Sequence, residues 1–358
     1  MNLAHTLDTL LDRTIAPGYG SAGLAVRRRL PDWPPDPPRI DGRAVLVTGA
    51  ASGIGLAACV GFARLGAIVY PVGRSQERAA EAAEQVRGEV PGADIRPVAC
   101  DVSDLGDVRG FAERFARESD RLDVLVNNAG VMPPERSHSA DGHELMFSTH
   151  VLGTFALTAA LRELLERSTP SRVINVSSGG MYGQKIPGDD LESAHTEYGP
   201  QKLYARTKRE QVVITEQWAQ RLRGSGVVVH AMHPGWVDTT GVQESMPVFR
   251  AVVRTIIRTP AQGADTIVWL GAAPEPLRST GGFWSDRRGR PTHYRFGAAE
   301  DSAADRQKLW DLCQSLVENA GISLGPEAAA RGGDGDPGPL LSGPADDPRP
   351  ETPGSRRA

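Results

Sequence analysis

TGAASGIG, Thr48 to Gly55, directly follows the apolar run Ala44 to Val47 and precedes the helix-compatible residues Leu56 to Leu65. Few short segments restrict a fold as much. Strand, glycine turn and helix in this order make the unit that binds a dinucleotide: glycines let the backbone turn tightly and approach a pyrophosphate, and the N–H groups and positive dipole end of the new helix receive its charge. Thr48, Gly49, Ser52, Gly53, Ile54 and Gly55 are therefore candidate cofactor contacts. The spacing is G-x-x-x-G-x-G, which differs from the G-x-G-x-x-G fingerprint.

Around that unit, apolar runs alternate with helical patterns. Strands are expected at Ala44 to Val47, Ala67 to Val72, Asp94 to Ala99, Val124 to Val126, Arg172 to Val176, Val227 to Met232 and Gly282 to Trp284. Such alternation implies right-handed crossovers and an α/β fold, a doubly wound, Rossmann-like parallel sheet of about seven strands in a single domain. Residues 1–39 read as an extension with a short amphipathic segment and a stiff linker, Pro31 to Pro38, five of whose eight residues are proline. Residues 40–324 form the expected domain. The segment 325–358, rich in Gly, Pro and Asp without periodicity, is expected to be a disordered tail.

Composition sets the compartment and narrows the partners. A net charge of -4 gives no reason to expect nucleic acid, and the eight histidines show no ligand spacing, so no metal is expected. The three cysteines, Cys59, Cys100 and Cys313, are scattered, which argues against a disulfide framework. With no apolar stretch approaching roughly 18 residues and no signal-peptide pattern, the chain is expected to be cytoplasmic.

A catalytic pattern lies in the second half. Tyr204 and Lys208 form a YxxxK step, and RVINVSS ends at Ser178, 26 residues before the tyrosine. Tyrosine and lysine at i and i+4 share a helix face, so an ammonium can favour phenolate over phenol. Free tyrosine, with a pKa near ~10, is a poor acid or base at neutral pH, and lowering it by about two to three units takes roughly 3 to 4 kcal/mol. Tyr198 and Lys202 spell the same step six residues earlier, but Gly199 and Pro200 disfavour a helix between them.

Taken together, these motifs resemble the short-chain dehydrogenase/reductase superfamily in its single-domain branch. TGxxxGIG falls at Thr48 to Gly55, an acidic residue and valine at Asp101 and Val102, NNAG at Asn127 to Gly130, the serine at Ser178, YxxxK at Tyr204 and Lys208, and PGxVxT at Pro234 to Thr239. The stretches VSSGGM, WAQ, MHPGW and AQGADT are similar to the subfamily typified by SDR family member twelve, with retinol-dehydrogenase-like reductases next nearest.

The resemblance implies hydride transfer between a nicotinamide and a carbonyl or alcohol, with Tyr204 as general acid/base, Lys208 bonding the nicotinamide ribose, and Ser178, rather than Ser177, polarising the substrate oxygen. Asp101 and Val102 would hold the adenine, Asn128, Ala129 and Gly130 would line the cofactor bed with Pro234, Gly235 and Val237, and Thr239 would bond the carboxamide. Relatives that prefer NAD carry an aspartate at the end of the second strand. Here Gly73 and Arg74 stand there, and a guanidinium can pair with a 2'-phosphate, so NADP(H) is favoured over NAD(H). A solvated loop arginine is the competing reading.

In place of the family's relay asparagine stands His150, in MFSTHVLGTF. It is expected to hold the relay water and to add a pH dependence near the ordinary histidine value of ~6.5. Packing is the alternative.

Val242 to Thr259 can be drawn as an amphipathic helix, apolar through Phe249, Val252 and Ile256 and basic through Arg250, Arg254 and Arg258. In the family this region lids the pocket, which implies a small lipophilic substrate. The arginine stripe, and Leu3, Leu7, Leu10 and Leu11 followed by Arg27 to Arg29, give peripheral membrane contact as a second expectation beside a solvated face. The resemblance also implies a homo-oligomer through the fourth and fifth crossover helices. Two functions remain open: an NADP(H)-dependent oxidoreductase, and a low-turnover NADP(H)-binding sensor or scaffold.

Overall fold

The computed structural model describes residues 3–14, 18–238, 253–294 and 300–325. Thr239, most of the expected amphipathic helix and the tail beyond Gly325 lie outside the described residues.

Eight strands form one sheet: β1 Ala44–Thr48, β2 Ile68–Gly73, β3 Val98–Ala99, β4 Val124–Asn127, β5 Ser171–Val176, β6 Val227–Met232, β7 Phe283–Ser285 and β8 Arg288–Arg290. Their order is β3-β2-β1-β4-β5-β6-β7-β8. Every pairing is parallel except β7 with β8. The helices are α1 Leu3–Arg13, α2 Ser21–Arg27, α3 Gly53–Arg64, α4 Gln76–Glu89, α5 Leu105–Glu118, α6 Gly153–Ala160, α7 Arg162–Arg167, α8 Pro200–Arg221, α9 Pro260–Ala272 and α10 Ala303–Asn319. Strand order reverses between β1 and β4, and in open α/β sheets ligands bind outside the carboxyl ends of the strands at such a switch point.

Both faces of the sheet are covered, which is why its central strands read as continuous apolar runs: all five residues of β1 and all six of β5 are buried. On one face α3 and α9 approach closely enough that a Cβ at Gly61 would lie 2.5 Å from Val268 and one at Gly271 would lie 2.4 Å from Phe62. On the other, α5 begins at Asp104, whose side chain accepts from the Asp107 N–H, and buries Leu105, Val108, Phe111, Ala112 and Phe115 at helical spacing.

All seven expected strands are present, and the structure adds β8. Asp94 to Ala99 is shorter than expected: only Val98 and Ala99 are strand, while Ile95 makes a single bridge to Val69. The sequence hides β8 because it is Arg-Gly-Arg and the turn before it uses Asp286 and Arg287, both at positive φ (52° and 57°), without a glycine or asparagine to mark it.

The described residues before 40 lie on the domain. Arg27, 2% exposed, donates to Asp8, Asp286 and the Gly18 carbonyl. Asp286 also receives Arg258, and Asp8 receives Arg290. The proline linker is held too, since Arg287 donates to the carbonyls of Pro34 and Pro35 and lies over the Trp33 ring.

One expectation is corrected here. The sequence pattern puts Arg258 in a basic stripe facing solvent or lipid head groups, but the residue is buried and paired with Asp286. Within the described part of that stretch the backbone turns, Arg258 bridges Val237, and Thr259 caps α9 in a capping box with Gln262. A further observation bears on the helices expected to carry a subunit contact. The fourth and fifth crossover helices are α6 and α8, and the chain's own α10 packs on them: Trp310 meets Phe155 at 4.7 Å and Trp218 at 5.1 Å between ring centroids. Gly153 to Ala159 and Thr207 to Ala219 are buried without a break. That face is therefore covered from within.

Removing one partner of a buried ion pair leaves the others uncompensated, at a cost of about 3 to 5 kcal/mol. Arg27→Met is therefore expected to lower unfolding free energy by that order in urea titrations. An appendage that merely trails from the domain would show no change.

Candidate active site

The site forms where β1, β4 and β5 end. At the first turn Gly49 and Gly53 have φ of +65° and +57°. A Cβ at Gly55 would lie 2.3 Å from the Gly49 carbonyl oxygen and 2.6 Å from Asn128 Nδ2, so the turn is too tight for a side chain there. Thr48 Oγ1 accepts from the N–H groups of Asn128 and Ala129, at 2.9 and 3.0 Å, and Asn128 Nδ2 returns a 2.9 Å bond to the Thr48 carbonyl. The glycine turn and the NNAG loop are thus one cradle, of the kind a pyrophosphate needs. Ser52 is the N-cap residue of α3, and Ile54 lies on its first turn beside Val237, since a Cβ at Gly263 would touch both.

Arg74 is exposed just past the end of β2. Asp101 Oδ1 accepts from the N–H and hydroxyl of Ser103, and Val102 is buried with its carbonyl against α6, where a Cβ at Gly153 would stand 2.1 Å away. Pro234, Gly235 and Val237 follow β6, with Gly235 at a φ of +77°.

Ser178, Tyr204 and Lys208 come together. Tyr204 lies in α8, whose first turn begins at Pro200, so Tyr198 falls outside the helix and donates its hydroxyl to the Pro133 carbonyl. The Ser178 hydroxyl faces the Tyr204 phenol and acts to lower its pKa, but burial acts more strongly and holds the phenol above its ordinary value. Lys208 is 2% exposed, and burial brings its ammonium down to about 7. Its Nζ donates to the Val176 carbonyl at 2.8 Å and to Gln211 Oε1 at 3.2 Å, and lies 5.7 Å from the Tyr204 ring centroid. Burial dominates the phenol pKa in the chain without a nucleotide, and the ammonium is anchored on β5. Ser177 donates to the Lys208 carbonyl, which ties strand to helix.

His150 is corrected as well. It sits in a π-helical turn, Ser148–Leu152, fully buried. Its Nε2 accepts from the Val131 N–H at 2.9 Å, so Nδ1 carries the proton and donates to Thr207 Oγ1 at 2.8 Å. Neither nitrogen is left for a relay water. Burial first, and the Lys208 charge second, hold its pKa well below the ordinary value, so the expected limb near ~6.5 disappears. The ring instead braces the NNAG loop against the helix of Tyr204.

The residues that sequence reasoning missed are Thr207, Gln211 and Asn175. Gln211, three positions after Lys208, shares its helix face and donates to Thr154. Asn175 joins Asn127 on β4 to Thr215 on α8.

With this geometry, the short chain dehydrogenase family model matches residues 43–247. The chain belongs to the short-chain dehydrogenase/reductase family. Among its short-chain relatives, dehydrogenase/reductase SDR family member 12 of Bos taurus is 41% identical over 280 residues, covering 78% of this chain and 87% of that protein. Retinol dehydrogenase 14 of Mus musculus is 35% identical over 298 residues, covering 79% and 88%. A crystal structure of an uncharacterized protein from Mycobacterium Paratuberculosis superposes with a TM-score of 0.60 at 28% identity, covering 79% of this chain and 96% of that one. A protein described as an NAD(P) dependent gluconate 5-dehydrogenase from Beutenbergia cavernae, solved with bound NADP, gives a TM-score of 0.56 at 26% identity, covering 69% and 96%. This short-chain dehydrogenase/reductase is accordingly an oxidoreductase with a nucleotide-binding Rossmann-like fold.

The Lys208 value fixes a pH dependence. Between about 7 in the folded chain and the ordinary 10.5, the unfolded chain holds more protons, so the stability of the cofactor-free protein rises with pH across that window. The expected slope is about 1 kcal/mol per pH unit. Urea midpoints of Lys208→Met and wild type, compared from neutral pH upward, should converge as the wild-type lysine sheds its proton.

Proposed function

We propose that the chain is an NADP(H)-dependent oxidoreductase that interconverts a lipophilic carbonyl and its alcohol, with Tyr204 as the general acid/base. The observation that carries this reading is the meeting of the Ser178 and Tyr204 hydroxyls above a buried Lys208. A bound nicotinamide nucleotide would supply or accept the hydride.

The glycine turn from Thr48 to Gly55, Asp101 and Val102, Asn128 to Gly130 and Pro234 to Thr239 would hold the nucleotide, and the cradle that excludes a Cβ at Gly55 fits one. Tyr204 donates its proton to the substrate oxygen in reduction and recovers it in oxidation, while Ser178 orients that oxygen. Because burial keeps the phenol above its ordinary pKa, the resting group is protonated at neutral pH, the form that reduction uses. His150 positions Tyr204 through Thr207, whose hydroxyl donates to the Tyr204 carbonyl at 3.0 Å.

Arg74, exposed at the end of β2, supports the preference for NADP(H). The lipophilic substrate is supported by similarity to the retinol dehydrogenases. Peripheral membrane contact is supported by α1, which buries Ala4, Asp8 and Asp12 and leaves Leu7 and Leu10 exposed. Among the described residues no helix is long and apolar enough to cross a membrane. A low-turnover binding protein is the second reading, favoured by one observation: both nitrogens of His150 are engaged, which leaves the relay without its expected acceptor.

Tyr204→Phe is expected to lower kcat by at least about a hundredfold with NADPH affinity retained, and Tyr198→Phe to leave kcat near wild type, in NADPH absorbance assays over a carbonyl panel. The reverse pattern would move the catalytic role to Tyr198. Charge-assisted hydrogen bonds contribute about 1.5 to 3 kcal/mol, so Arg74→Ala should weaken NADPH about ten- to a hundredfold in fluorescence titrations and leave NADH nearly unchanged. Equal losses for both nucleotides would assign the phosphate to another group.

A further inference from the structure

Residues 18–21 run between the two loops that follow β5 and β6. Tyr19 is 6% exposed, with its ring 4.6 Å from His233 and edge-on to Trp236 at 6.2 Å. Its carbonyl accepts from the Trp236 N–H at 2.9 Å, and a Cβ at Gly235 would lie 2.5 Å from that oxygen. On its other side the ring fills the space of a missing side chain: a Cβ at Gly179 would lie 2.5 Å from Tyr19 Cε2. Gly179 immediately follows Ser178.

Two glycines therefore flank one aromatic residue, each on a loop of the site. Neither contact involves the Tyr19 hydroxyl. The segment is fixed from behind by buried charge: Arg258 donates to the carbonyls of Gly18, Gly20 and Pro234 as well as to Asp286, and Arg27 donates to the Gly18 carbonyl and Asp286. Val237, at the far end of the second loop, and Ile54 of the glycine turn both face Gly263 of α9. Tyr19 thus joins the turn after Ser178 to the Gly235 and Trp236 loop, and it lies outside the family-matched residues 43–247.

We infer that Tyr19 is a positioning residue supplied by the N-terminal segment, which fixes the Ser178 turn against the Pro234 to Val237 loop on the nicotinamide side of the site. The inference rests on the reading that these loops receive the dinucleotide. If Tyr19 sets only this side, its loss weakens the whole dinucleotide and spares a fragment that occupies the adenine side alone.

Equilibrium binding of NADPH, and of the adenosine bisphosphate half of NADP, separates these roles without requiring turnover. Tyr19→Ala should weaken NADPH about tenfold and leave the adenosine fragment unchanged, since a tenfold change is about 1.4 kcal/mol, the scale of a displaced loop. Tyr19→Phe should restore wild-type binding, because the ring and backbone make the contacts. Should Tyr19→Ala fold poorly, Gly179→Ala drives a methyl into the same ring and is expected to give the same selective loss, relieved when combined with Tyr19→Leu. Equal weakening of both ligands, or of neither, overturns the inference while leaving the site intact. A wild-type chain that binds neither ligand overturns the site reading itself, and the inference with it.

Discussion

A lysine ammonium held out of water at the junction of β5 and α8 governs the arrangement of this molecule. Burying such a charge is costly unless it is hydrogen-bonded, and Lys208 answers with the Val176 carbonyl and Gln211. Both partners impose geometry. Val176 ends the strand two residues before Ser178, and Gln211 holds the next turn of the helix that bears Tyr204, so anchoring the lysine places the serine and tyrosine as well. His150 and Thr207 add a second tie from the NNAG loop to the same helix. The face that carries Ser178 and Tyr204 is therefore set by buried polar bonds, because a donor or acceptor left unmet in the interior bears its full desolvation penalty.

Much of this was legible in the residues. The glycine turn, the strand alternation and the YxxxK step depend on local rules, and they put the sheet, the cradle and the helix of Tyr204 where they are found. Non-local charge was not legible. Arg27 and Asp286 are 259 positions apart, and nothing in either neighbourhood signals that they meet. The partners of α1 were equally hidden: Asp8 and Asp12 point inward because Arg290, Arg27 and Tyr294 face them, and Leu7 and Leu10 stay exposed. A hydrophobic pattern locates a helix face, but it cannot name the buried arginines that will receive the opposite one.

His150 shows the limit of reading a motif by substitution. Its position predicts a role in the proton relay because the family keeps a hydrogen-bonding side chain there. The structure retains hydrogen bonding but directs both nitrogens to protein groups, and burial removes the titration that would have made the ring visible in a pH profile. Residue type set what the side chain could do, and the two groups facing it, Val131 and Thr207, determined what it does.

The packing of α10 on α6 and α8 bears on how the molecule reaches its final form. A surface completed by a second subunit forms only at a rate and to an extent set by protein concentration. Here the Trp310, Phe155 and Trp218 cluster is closed by the same chain, with Arg221 stacked 3.5 Å over the Trp310 ring. At this cluster the packing of α8 depends on contacts within one chain, whose local concentration does not change on dilution.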